Sequence, residues 1–82
     1  MTLHHVSVVD WTESRRAEFD EVPIDTFVSE LLDNAKEVMG LPPNTPYDLI
    51  RRDEKVPRGL TLEQAGIEDR DELTVAPFVS AG

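Results

Sequence analysis

The side chains that act as nucleophiles, bases or metal ligands are unevenly spread along the 82 residues. Cysteine is absent, which removes thiolate catalysis, thiolate zinc sites and disulfides. His4 and His5 are adjacent, and neighbouring side chains on a strand point to opposite faces, so they do not readily share a metal ion. Seventeen Asp and Glu residues make carboxylate pairs such as Asp69/Asp71 and Asp20/Glu21 inevitable, and no EF-hand spacing or Gly-rich phosphate loop accompanies them. Ser7, Ser14, Ser29 and Ser80 have no evident base, so no nucleophile–base–orienter set is legible. The chain is therefore not expected to be an enzyme, nor to need a metal or cofactor of its own. What remains is the segment Phe78-Val79-Ser80-Ala81-Gly82, the lysines Lys36 and Lys55, and the apolar Ile50 beside Arg51 and Arg52.

Composition narrows the partners. The formal charge of −9 disfavours nucleic acid, whose binding depends on Lys and Arg neutralising phosphates, and disfavours anionic membranes likewise. It suits a soluble domain and basic patches on proteins. No apolar run approaches the length of a membrane span, and Met-Thr-Leu-His-His-Val lacks the features of a signal peptide. A cytoplasmic monomer is expected.

The elements that must position these residues follow from periodicity. Leu3–Trp11 carries Val6, Val8 and Val9 and reads as a strand; Trp11 at its end suits core or rim. Arg16–Val22 alternates Ala17 and Phe19 against Glu18 and Asp20, completing a hairpin across Thr12-Glu13-Ser14. Asp25 or Thr26 is the expected cap of a helix over about 26–39, with Phe27, Val28, Leu31, Leu32, Ala35, Val38 and Met39 on one stripe. Gly40 ends it and Pro42-Pro43 prevent resumption. Tyr47–Arg51 reads as a third strand, Val56 as a short edge strand, Thr61–Ile67 as a capped helical turn, and Glu72–Val79 as a last strand interrupted near Pro77. The order predicts an α+β fold: a mixed sheet of four or five strands with one main helix on one face, in a single domain over 1–78, followed by a flexible tail over 79–82.

Several stretches in this order carry a family resemblance. Gly40-Leu41-Pro42-Pro43-Asn44 resembles the Gly-Ile-Pro-Pro-Asp of ubiquitin, Leu49-Ile50 its third-strand Leu-Ile, and Gly59-Leu60-Thr61-Leu62 its Gly-Arg-Thr-Leu. From Leu49 to Gly82 the two align without a gap, whereas the N-terminal hairpin matches only in pattern. The chain thus resembles ubiquitin-like proteins, which implies a β-grasp fold. Low identity and an acidic surface make it look most like the bacterial members that accompany activating, conjugating and deconjugating enzymes.

The resemblance implies roles residue by residue. Gly82 would be the acyl group: its carboxylate is adenylated with ATP by an activating enzyme, passes to a thioester, and is joined to an amine of a target protein. Val79, Ser80 and Ala81 would be the segment those enzymes and the deconjugating protease recognise. Ala81 stands where the family usually has glycine, and Val79-Ser80 replaces its Leu-Arg pair. Ile50, joined by Ala76, would form the partner-binding patch, with Leu49 facing the core. Lys55, placed on an exposed loop, is the candidate for chain building. Two alternatives stay open: an adaptor that binds a partner through its sheet, in the manner of secretion-accessory proteins, and a sulfur carrier using the same terminal glycine.

Overall fold

The structure, a computed structural model, describes residues 1–42 and 44–77. Its elements are β1 (Thr2–Asp10), β2 (Arg16–Pro23), α1 (Val28–Met39), β3 (Tyr47–Arg51), β4 (Glu54–Val56) and β5 (Glu72–Pro77). They form a five-stranded sheet in the order β2-β1-β5-β3-β4. All pairings are antiparallel except β1 with β5, which is parallel. The α+β β-grasp arrangement expected from the sequence is therefore the observed one.

Alternation decides which side chains face α1. Val6, Val8, Leu49, Leu73 and Val75 are wholly buried, and they meet Val28, Leu31, Leu32 and Ala35 of the helix. Tyr47, Leu62 and Ile67 close the core. The helical stripe is narrower than the sequence suggests: Phe27 lies outside α1, and Val38 is 63% exposed.

The expected cap at Asp25 or Thr26 is not formed, and α1 starts two residues later than Thr26. Phe27 is extended and forms a bridge with Thr61. The free N–H groups of the first turn are met by backbone instead: Val28 N donates to Leu60 O (2.8 Å) and Ser29 N to Arg58 O (3.3 Å). A tertiary contact thus does the work a capping side chain would otherwise do. At the other end Gly40 adopts φ +68°, and the N–H groups of Gly40 and Leu41 close onto Glu37 O and Lys36 O. Arg15, in the β1–β2 connection, adds its guanidinium to the carbonyls of Met39 (3.0 Å) and Gly40 (3.2 Å). A cation at this negative pole ties the hairpin to the helix, so Arg15→Ala is expected to lower stability by about 1 kcal/mol in urea unfolding.

Arg52 (φ +52°) and Asp53 (φ +67°) both occupy the left-handed region and form the two-residue turn between β3 and β4. That conformation matches strand twist but disfavours residues carrying a Cβ. Replacing the pair by Asn-Gly is expected to stabilise the domain by about 0.5–1 kcal/mol, measured as a rise in the urea midpoint. The tight turn also relocates Lys55, which lies in β4 opposite Ile50 and not on a loop.

Thr61–Gly66 is a turn closed by a reciprocal cap, as expected, with Thr61 N on Gln64 Oε1 (3.0 Å) and Gln64 N on Thr61 Oγ1 (3.2 Å).

Candidate functional site

The outer sheet face, opposite α1, gathers the candidate partner residues. Register puts Arg16, Val9, Thr74, Ile50 and Lys55 in one row across all five strands. A second row pairs Asp48 with Ala76. Ile50 and Ala76 therefore share this face, but they are diagonal neighbours, because Thr74 stands directly opposite Ile50. Both are half-buried, while Leu49 is fully buried on the inner face as expected.

Val9 extends the apolar strip. It is 6% exposed yet stands apart from the main core cluster. Arg16 of β2 reaches across β1 to Glu72 of β5 (Nη2–Oε2 2.6 Å) and flanks it. On the opposite side Asp48 draws in Lys55 (3.6 Å) and Arg58 (3.6 Å), and Arg58 also donates to Tyr47 O (2.9 Å). Arg51 does not crowd the patch: it is turned to Asp71 (Nε–Oδ2 2.7 Å), a half-buried pair that fastens β3 to the segment before β5. The result is a strip of Val9, Ile50 and Ala76 with Thr74 at its centre, framed by ion pairs. Lys55 remains largely exposed, whereas Lys36 lies 5.7 Å from the centre of the Tyr47 ring and 3.9 Å from Asp33.

β5 ends at Pro77, opposite Tyr47 of β3. Trp11 follows β1 and lies against Tyr47, ring centres 6.0 Å apart and tilted by 34°. Trp11 is thus a rim residue, 46% exposed, beside the end of the last strand. Gly82 and its neighbours Val79, Ser80 and Ala81 lie outside the described residues. An open groove of about 510 Å³ lies elsewhere, between Lys36, Glu37 and Leu41 at the end of α1.

The hairpin assembles one cluster that sequence spacing did not reveal. His5 Nδ1 lies 2.8 Å from Asp20 Oδ1, and its Nε2 lies 3.2 Å from both Glu18 Oε1 and Ser7 Oγ. Ser7, His5 and Asp20 stand in the order of nucleophile, base and orienting acid. The second carboxylate defeats that reading. The hydrogen bond to Asp20 raises the imidazole above its ordinary pKa, against a smaller opposing effect of burial, and Asp20 and Glu18 add attraction. A ring whose Nε2 faces Glu18 Oε1 as well as Ser7 Oγ is not a free base for Ser7, which is itself buried. The available signal was the outward placement of Glu18 and Asp20 across from Ser7 and His5. His4 separates from this cluster and meets Glu21 at 3.4 Å. Among the described residues, no group of three or more His, Cys, Asp or Glu is arranged to hold a metal ion. No helix among them is long and apolar enough to cross a membrane.

The chain matches no protein-family model and no curated protein sequence. Its fold is nonetheless shared by solved structures. A ubiquitin of Caldiarchaeum subterraneum superposes with a TM-score of 0.79 at 20% identity, covering 100% of both chains. The ubiquitin-like domain of yeast Ddi1 gives 0.74 at 16% identity, over 99% of this chain and 94% of that one. A de novo design based on ubiquitin gives 0.79 at 26% identity, over 98% and 93%. These likenesses establish the ubiquitin-like β-grasp fold.

Proposed function

We propose that this chain is a ubiquitin-like protein modifier, handled by partner enzymes in a cytoplasmic conjugation system of the bacterial kind. The observation that carries the reading is the ubiquitin-like fold combined with the spacing of its last strand: β5 ends at Pro77 and Gly82 follows five residues later. The Gly82 carboxylate attacks the α-phosphorus of ATP and displaces pyrophosphate. A cysteine thiol of the activating enzyme then displaces AMP and forms a thioester. A target amine attacks that thioester, the amide forms and the thiol leaves. All catalytic groups belong to the activating enzyme, the conjugating enzyme and the deconjugating protease. This domain supplies the acyl group and a surface to hold. Glycine suits the first task because no Cβ obstructs a narrow channel.

The adaptor reading has its own support in Ile50 and Ala76, half-buried on the outer sheet face. ATP–pyrophosphate exchange separates the two. With an activating enzyme encoded beside this chain, the modifier drives exchange of labelled pyrophosphate into ATP. An adaptor binds its partner without any such exchange.

A further inference from the structure

The cluster at His5 supports a second role that does not depend on Gly82. Both ring nitrogens face anionic oxygens, Asp20 Oδ1 at 2.8 Å and Glu18 Oε1 at 3.2 Å. A neutral imidazole has one N–H and one lone pair. Either tautomer therefore turns a lone pair toward a carboxylate. Only the imidazolium donates on both sides, to Asp20 through Nδ1 and to Glu18 and Ser7 through Nε2.

The backbone of the same residue holds a second element. His5 N donates to Asp69 Oδ1 (2.9 Å), Arg70 N donates to His5 O (2.7 Å), and Ser7 N donates to Asp71 O (3.1 Å). His5 thus joins three pieces of the fold: β1, the edge strand β2, and the segment 68–71 leading into β5. The charged groups around it are mostly acidic. From β2 come Glu18 and Asp20; from the segment before β5 come Glu68, Asp69, Arg70 and Asp71; from β5 comes Glu72, opposite Ser7. Of these, Asp71 pairs with Arg51 and Glu72 with Arg16. Glu18 and Asp20 have His5 as their cation.

We propose that His5 is a proton-operated latch: protonated, it fastens the β2 edge to β1; neutral, it leaves Glu18 and Asp20 uncompensated and the edge opens more often. The raised imidazole pKa agrees in sign. A group whose folded pKa exceeds its unfolded value of about 6.5 contributes its full stabilisation below pH 6.5. That contribution is lost as pH rises through the folded value. Within the cluster, imidazole is the side chain whose ordinary pKa falls in this window. His4 faces Glu21 instead, at 3.4 Å.

Amide hydrogen exchange followed by NMR between pH 5.5 and 8.5, corrected for intrinsic exchange, tests the latch on the full chain. The His5 ring is expected to titrate with a midpoint above 6.5, and β2 amides to lose protection by about three-fold or more across it. His5→Gln is expected to flatten this dependence, and His4→Gln to leave it unchanged. Asp20→Asn keeps the ring and is expected to bring its midpoint back toward 6.5, which tests the latch even if His5→Gln folds poorly. A midpoint at or below 6.5 overturns the proposal. So does pH-dependent protection that persists in His5→Gln or vanishes in His4→Gln.

Discussion

A chain ending at Ala81 is expected to form no adducts with ATP and its activating enzyme, while unfolding at the same urea concentration as the chain ending at Gly82. The two halves of this expectation have different physical sources. Stability resides in the core of Val6, Val8, Leu49, Leu62, Leu73 and Val75, all of which precede Pro77. Adduct formation, by contrast, requires a carboxylate at one position in the enzyme's channel. Removing one residue withdraws the reacting carbon by about 3.3 Å and adds a Cβ where glycine has none. Positional errors of about 1 Å already cost on the order of 100-fold in rate, so the loss is expected to be complete on the assay's scale. Gel shift and intact mass, run beside a urea melt, check both halves. Equal adduct formation by the shortened chain would contradict the modifier reading and leave the fold untouched.

The second large effect concerns two neighbours in β3. Leu49→Ala is expected to cost about 2–5 kcal/mol, because it opens a cavity in a fully buried site. For a domain of this size, whose total stability is about 4–12 kcal/mol, that is a sizeable share of the whole. A drop in melting temperature of roughly 10 °C or more is the corresponding observable. Ile50→Ala removes the next side chain, which points to the opposite face and is half-buried. It is expected to cost less than about 1.5 kcal/mol and to weaken partner binding instead. The contrast is informative because a one-residue slip of register exchanges the faces. Comparable losses at both positions, or a larger loss at Ile50, would contradict the assignment of inner and outer faces.

Much of this fold was legible in the sequence because its strongest signals are local. The stripe from Val28 to Met39, Gly40 after it, and the alternation in Arg16–Val22 and Glu72–Pro77 are patterns that neighbouring residues impose on each other. The misreadings share a different cause. The helix cap failed because Leu60 and Arg58, remote in the chain, bring their carbonyls to the first turn. Phe27 followed the helical period but was drawn into a bridge with Thr61. Val9 read as ordinary strand, although register and the Arg16–Glu72 pair make it part of the outer face.

The candidate site divides in the same way. Ile50 and Leu49 could be assigned to faces by alternation alone. The offset between Ile50 and Ala76 could not, since it depends on how β3 and β5 align. The His5 cluster was invisible for the same reason. Glu18 and Asp20 are remote from His5 in sequence and meet it only through the β1–β2 register. Lys55 moved from loop to strand because two non-glycine residues accept left-handed backbone in a turn that composition did not announce.

If Gly82 becomes an acyl donor, mass spectrometry of the joined product shows it most directly. Arg70 is the last basic residue, so trypsin leaves a twelve-residue branch, 71–82, on any modified amine. The chain, ATP and its conjugating enzymes are incubated with a lysate and digested. The predicted result is this branch attached through the Gly82 carbonyl to target amines, dependent on ATP and absent for the chain ending at Ala81. Finding residues 71–82 only as the free peptide, with the enzymes active on a control modifier, would contradict the account.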